Sequence, residues 1–244
     1  MAARILAVVQ ARMSSRRLPG KVLKPILGRP MLLHQLDRAG RATVLDRLVV
    51  ATSTDESDDD VVRKCRDSGY DCERGPLHDV LDRIWQIASR DGAEHIVRLT
   101  GDCPLTDPEI IDLVVDAHLT TGADYTSNTR PRPTWPDGLD VEVVRAGVLE
   151  QAWREAVTPS DREHVLPFVW NRPERFRLNT VSSEMNLGHW RWSVDRPVDF
   201  EFVEAIFAAL YPRNPRFGFR DVQMLLRQSE FLLRLAPRLD RGTG

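Results

Sequence analysis

Arg12, Arg16, Arg17 and Lys21 fall within ten positions of one another, in the stretch VVQARMSSRRLPGKVLKP. Ser14, Ser15 and Gly20 keep the intervening backbone small, so its N–H groups can approach an anion. Arginine brings a planar fork that matches phosphate oxygens, and lysine brings a compact charge. The set suits a triphosphate. It is not a Walker A loop, because RRLPGKV lacks the first glycine and the hydroxyl after the lysine, and it is not GxGxxG. The competing reading is a solvated basic turn. Its position directly after the apolar run ILAVV favours a function.

Carboxylates form the second group. Asp102 stands in RLTGDCPLTDP, two residues past an apolar run, where its side chain is expected to point into a cleft. Magnesium favours one or two carboxylates with phosphate oxygens completing its octahedron; the alternative role is a turn cap. Asp195, in WSVDRPVDFEFV, is either a helix cap or a second ligand for the same metal. Asp107 precedes Pro108 and suits an N-cap, and Asp199 suits a helix-dipole partner. The acidic run DESDDD reads as a solvated helix start. Among six histidines no ligand spacing recurs; His164 in DREHVLP is the one placed near other candidates. Trp135 lies in a Pro-rich loop, where contact with a substrate is one reading and a core role the other.

These residues need elements to hold them. ILAVV reads as a strand buried on both faces. Pro30 followed by MLLHQLDRA reads as a helix start. RLVVAT is a second strand, STDESDDDVVRKCRDSG a loop and helix, residues 70–73 a short strand, DVLDRIWQIASRDG a helix and EHIVRLT a strand. GDCPLTDPEIIDLVVDAHLTTG turns into another helix. Alternating strands and helices predict an α/β fold with a parallel sheet covered on both faces, whose ligands lie beyond the carboxyl ends of the strands. Past residue 124 the pattern loosens. LDVEVV reads as a strand, AGVLEQAWREAV and DREHVLPFVWN as helical, RFRLNTV and HWRWSV as paired strands, and PVDFEFVEAIFAALY and RDVQMLLRQ as helices. Residues 1–235 are expected to form one domain, with 124–195 projecting as a lobe and 236–244 a frayed tail.

Composition narrows the partners. With 244 residues, 34 basic against 36 acidic and a net charge of -2, no global field points to nucleic acid or a membrane surface. No apolar run approaches the roughly 18 residues of a membrane span. Cys65, Cys72 and Cys103 match no zinc spacing and read as reduced thiols. MAARILAVVQ runs into QARMSSRR, which suits a first strand better than a signal peptide, so a cytoplasmic location is expected.

Five segments taken together, VVQARMSSRRLPGKVLKPILGRPML, RLTGDCPLTDPEIID, PDGLDVEVV, REHVLPFVWNRPERFRL and RWSVDRPVDFEFV, resemble the cytidylyltransferase family that includes spore coat polysaccharide biosynthesis protein F. That family is related to the synthetases of CMP-activated acidic sugars. The resemblance runs in order through nearly the whole chain. It implies a three-layer, Rossmann-like nucleotidyltransferase fold with a mostly parallel sheet and a small projecting β-lobe. It also implies CTP, Mg2+ and a homodimer. Carried over residue by residue, Arg12, Ser15, Arg17 and Lys21 match the triphosphate loop, with Gln10, Ala11 and Thr100 beside the nucleotide. Asp102 and Asp195 match the metal aspartates, and Arg74 and Gly75 an element near the base. Asp137, Gly138, Asp140, Glu142, Glu163 and His164 match the acceptor side. Ser14 and Arg16 depart from the family's usual small residue and threonine, and PLHD replaces its usual acidic run, which puts the base-side contacts in doubt.

The expected reaction is transfer of CMP to an anionic acceptor with release of pyrophosphate. The acceptor is an acidic sugar, a sugar or polyol phosphate, or a phosphonate. Arg130, Arg132 and Arg145 hint at its charge. A nucleotidyltransferase using another NTP, and a non-catalytic nucleotide-binding regulator, are the competing readings. A glycosyltransferase would show DxD, which DVE and DRP do not supply, although DESDDD contains the letters DDD.

Overall fold

The computed structural model describes residues 3–239. Strand β1 (Ile5–Gln10) is buried on both sides, as its unbroken apolar run requires. A basic loop leads to a 3-10 turn at Lys21–Leu23, a two-residue hairpin of β2 (Pro25–Ile26) and β3 (Arg29–Pro30), and helix α1 (Met31–Ala39). Then follow β4 (Arg47–Ser53), α2 (Asp59–Asp67), β5 (Asp71–Gly75), α3 (Val80–Asp91), β6 (His95–Thr100) and α4 (Pro108–Thr121). The second half holds β7 (Tyr125–Ser127), β8 (Glu142–Arg145), α5 (Ala146–Glu155), α6 (Pro159–His164), α7 (Pro167–Trp170) and β9 (Leu178–Thr180). Helices α8 (Pro197–Leu210), α9 (Phe219–Gln228) and α10 (Glu230–Leu235) close the chain.

Among the described residues the main sheet runs β5-β4-β1-β6-β8-β7-β9. Only β8 runs against its neighbours, β6 and β7. The fold is therefore α/β with a mostly parallel central sheet. Alternate residues of β1 serve opposite layers: Ile5, Ala7 and Val9 pack with α1, α4 and α8, while Leu6 and Val8 pack with α3 and α5. Such two-sided burial is what makes the strand uniformly apolar. The chain leaves β1 for β4 on one side and returns through β6 on the other, so a crevice opens between the carboxyl ends of β1 and β6.

Within residues 124–195, strands β7, β8 and β9 extend the central sheet. Two sequence expectations change. RFRLNTV and HWRWSV do not pair. The first supplies β9 beside β7, and the second makes isolated bridges from Arg191 to Asp137 and from Trp190 to Arg238. The second concerns the start of the tail. Arg191 N–H donates to Pro237 O at 2.9 Å and Leu239 N–H to His189 O at 3.0 Å, so residues 237–239 are tied down; 240–244 lie outside the described residues. The three cysteines are free and buried, and no helix among the described residues is long and apolar enough to cross a membrane.

Candidate active site

Lys21 is the centre of the site. Its ammonium donates to Asp102 Oδ2 at 2.9 Å, to Asp195 Oδ1 at 3.1 Å and to the Val194 carbonyl at 2.7 Å, with its side chain only 9% exposed. Burial alone lowers a lysine pKa. Here the two carboxylates outweigh it and hold Lys21 above its ordinary value. Burial likewise pushes Asp102 upward, but the charge and hydrogen bond of Lys21 outweigh that and hold it below the ordinary carboxylate range. Arg17 pairs with the other oxygen of Asp195, and Arg12 lies 3.5 Å from Glu163. Arg16 is exposed at the rim and makes no ion pair among the described residues.

Close backbone contacts build this arrangement. The β6–α4 turn presses on the end of β1: Gly101 N–H donates to Gln10 O at 2.8 Å. A Cβ on Gly101 would lie 2.9 Å from both Gln10 O and the Ala11 Cβ, so only glycine lets Asp102 reach the loop. Asp195 arrives by a second route. Asp137 O accepts the N–H groups of Trp192 and Ser193, and Val194 N–H donates to Asp102 O at 2.8 Å. Gly138 has φ +107, and a Cβ there would lie 2.4 Å from Ser193 N. Beyond Asp195, Asp199 accepts the N–H groups of Asp195 and Arg196 at 3.0 and 2.8 Å, fixing the start of α8.

The loop itself is moored by Asp58, from the acidic run expected to be solvated. Asp58 is fully buried and accepts Met13 N–H at 2.7 Å and Ser53 N–H at 3.0 Å. A buried carboxylate survives only with such partners. The neighbouring Asp55, Asp59 and Asp60 behave as expected on the surface, capping a turn or pairing with arginines.

Two cavities meet here. The first, of about 690 Å³, runs along the basic loop, with Gln10, Arg12, Ser15, Lys21, Asp102 and Asp195 in its walls. The second, of about 790 Å³, is walled on its inner side by Arg98, Asp140 and Glu142. Thr100 and His164 line both. A side pocket of about 150 Å³ opens off the first, between Gln10, Ala11, Val80 and Arg83. Arg98 ties the cavities together. Its Nε donates to Gln10 Oε1 at 3.0 Å and its Nη1 to Glu142, which also accepts Tyr125 Oη–H at 2.6 Å.

Of the expected residues, Gln10, Ala11, Arg12, Ser15, Arg17, Lys21, Thr100, Asp102 and Asp195 line the first cavity, and Asp140, Glu142 and His164 the second. Others are placed differently. Arg74 lines neither cavity; it donates to the carbonyls of Ser53 and Asp55 at 2.8 Å and to Asp59 at 2.6 Å, fastening β4 to α2. Gly75 packs against Arg83, whose side chain would meet a Cβ there. Asp137 and Gly138 hold residues 190–193 rather than the acceptor cavity, and Asp137 accepts the Ser193 hydroxyl. Glu163 faces Arg12 on the nucleotide side. Trp135 is a core residue, donating to Val181 O at 2.9 Å and packing on Phe219. Sequence reading missed Asp58, Arg98 and Arg83. For Arg83 a signal existed: it occupies the apolar stripe of α3 among Val80, Leu81, Ile84 and Ile87. Asp107 caps α4 as expected, accepting Glu109 N–H at 2.9 Å.

A basic loop facing two converging aspartates, at the switch point of a three-layer α/β sheet, defines a nucleotidyltransferase architecture. The chain belongs to the cytidylyltransferase family, whose pattern matches residues 6–221. It is 36% identical over 211 residues to spore coat polysaccharide biosynthesis protein SpsF of Bacillus subtilis, covering 83% of this chain and 86% of that one. Over 110 residues it is 41% identical to a 3-deoxy-manno-octulosonate cytidylyltransferase of Geobacter sulfurreducens, covering 44% and 42%. Among solved structures, a cytidylyltransferase of Leptospira borgpetersenii superposes with TM-score 0.88 at 28% identity, over 93% of this chain and 95% of that one. A CMP:2-keto-3-deoxy-manno-octonic acid synthetase complexed with CTP shares the fold at TM-score 0.66 and 20% identity, over 85% and 99%.

Proposed function

We propose that this protein transfers CMP from CTP to an oxygen of an anionic acceptor, an acidic sugar, a sugar or polyol phosphate, or a phosphonate. The observation that carries the reading is Lys21 held between Asp102 and Asp195 beneath the basic loop, in a cavity that joins a second one at Thr100 and His164. The name of the Bacillus relative supports polysaccharide biosynthesis, and that of the Geobacter relative supports CMP transfer to an acidic sugar.

The acceptor oxygen attacks the α-phosphorus in line. The new O–P bond forms as the bond to the β-phosphate oxygen breaks, and pyrophosphate leaves with that electron pair. The acceptor proton, if present, passes to solvent or to His164 at the junction. Arg12, Arg17 and Lys21 hold the β- and γ-phosphates and stabilise the departing charge. Arg17 and Arg12 exchange Asp195 and Glu163 for phosphate oxygens when the nucleotide enters, and Lys21 turns one N–H from Asp102 or Asp195 to them. The side pocket between Gln10 and Arg83 receives the base. Asp102 and Asp195 would hold Mg2+, because hard oxygens that already converge on one cation at 2.9 and 3.1 Å are the donor type it prefers. When bound there, Mg2+ supplies charge neutralisation on the phosphate oxygens.

The test is pyrophosphate release from each of the four NTPs with Mg2+ across a panel of acidic sugars, polyol phosphates and phosphonates. CTP alone is expected to support release. Preference for another NTP, or nucleotide binding without release from any acceptor, overturns the reading.

A further inference from the structure

The walls of the second cavity are unevenly charged. On its inner side the acidic groups are already used. Glu142 is paired with Arg98 and accepts the Tyr125 hydroxyl. Asp161 is buried and accepts the Thr158 hydroxyl at 2.8 Å. Asp140 accepts Gly138 N–H at 3.3 Å, and burial together with the neighbouring Asp137 holds its carboxyl well above the ordinary carboxylate range. The outer side carries Arg130, Trp170, Asn171 and Arg172. Neither Arg130 nor Arg172 has a carboxylate within ion-pair distance among the described residues; their guanidinium groups meet rings and a carbonyl. Arg130 lies over the Trp170 ring at 4.2 Å, and Arg172 lies over Phe168 at 4.1 Å while donating to Phe168 O at 2.7 Å. A guanidinium stacked on a ring keeps its orientation, and its N–H edge stays available for an oxyanion.

We propose that the outer half of this cavity is an anion subsite for a phosphoryl or phosphonyl group carried by the acceptor at the end remote from its attacking oxygen. The proposal rests on the transfer reading above, which places the attacking oxygen at the Thr100–His164 junction. Two arginine forks with no carboxylate at ion-pair distance, Arg172 feeling Glu155 only at longer range, match the several oxygens of a dianionic phosphorus group better than one carboxylate. The partition of the walls sets the position of the charge. Arg130 and Arg172 line only the second cavity, whereas the nucleotide phosphates belong to the first. An acceptor whose acidic group sits on the same carbon as the attacking oxygen leaves this subsite empty. The acceptor class that fills both ends is a polyol or sugar chain with the nucleophile at one end and a phosphorus oxyanion at the other.

The full chain labelled with 5-fluorotryptophan gives a direct readout, with the Trp170 fluorine resonance assigned through Trp170→Phe. Inorganic phosphate is titrated against the protein saturated with CTP and Mg2+. The expected result is a saturable shift of the Trp170 resonance, absent with chloride at matched ionic strength and weakened about tenfold in affinity by Arg130→Gln or by Arg172→Gln, with CTP affinity unchanged. No saturable shift, or a shift that survives both substitutions, overturns the proposal. CTP binding is followed separately by calorimetry. A Trp170 response that persists without CTP binding sinks the transfer reading while the anion subsite stands.

Discussion

Replacing Lys21 with methionine keeps the side-chain volume and removes the cation shared by Asp102 and Asp195. The ammonium has three acceptors at 2.7–3.1 Å, so Lys21→Met leaves two carboxylates and the Val194 carbonyl converging on an apolar methyl. Removing one partner of a buried pair costs about 3–5 kcal/mol. Asp102 and Asp195 retain 30% and 23% side-chain exposure, and Arg17 still holds Asp195, so water and that arginine offset part of the loss. The expected destabilisation is about 3 kcal/mol at neutral pH, at the low end of that range. Its pH dependence has a definite sign. Asp102 is held below its ordinary 3.8, so its ion-pair stabilisation is present above that value and is lost as pH falls through the folded-state pKa. The deficit of Lys21→Met relative to wild type therefore shrinks on acidification below about pH 4. Urea titrations of both proteins between pH 7 and pH 3 measure it, with Lys21→Met/Asp102→Asn recovering part of the loss at pH 7. A deficit below about 0.5 kcal/mol at neutral pH, or one indifferent to pH, contradicts the placement of Lys21 as the structural cation of the site.

Three further outcomes are expected. Gly138→Ala forces a Cβ to within 2.4 Å of Ser193 N at φ +107; the backbone conformation alone costs about 1–3 kcal/mol, and a lowered Tm with loss of nucleotide binding checks that residues 190–195 have shifted. Glu142→Gln leaves the half-buried Arg98 without its charge partner and costs about 3 kcal/mol in urea unfolding, most of it recovered in Glu142→Gln/Arg98→Met. His118 is buried against His95 and Thr126 at 3.0 Å each, and burial first, then His95, lowers its pKa to about 4. The unfolded chain binds the extra proton first, so stability is fully present above about pH 6.5 and falls by about 3 kcal/mol as pH drops to 4, a slope that His118→Asn flattens in thermal melts.

Much of the scaffold was readable because its periodicities are long. The apolar run of β1, the strand ending at Thr100 and the Pro-started helices α4 and α8 each carry a pattern that tertiary contacts reinforce. Strands β7 and β9 have three residues each, too few for alternation to register, so their membership in the central sheet was invisible. HWRWSV alternates like a strand, yet its backbone groups are satisfied by Asp137, Asp102 and residues 237–239, which no local pattern reveals. The aspartates and the loop lysine were legible through their positions after strands and before helices. Arg74 was not, because whether a guanidinium faces a cavity or clamps nearby carbonyls depends on the packing of α2 against β5. Asp58 shows the same limit: six consecutive polar residues read as solvated, and only the fold brings Met13 N–H to one of them.

In the proposed transfer one CMP passes to an acceptor oxygen for each pyrophosphate formed. Phosphorus NMR of the protein with CTP, Mg2+ and an acceptor identified from the release panel follows both at once. The CTP α-phosphorus is expected to convert to a single new ester resonance in step with free pyrophosphate, at a ratio of about one to one, and Asp102→Asn to abolish both together. Appearance of CDP and inorganic phosphate, or pyrophosphate release without a new ester, contradicts it.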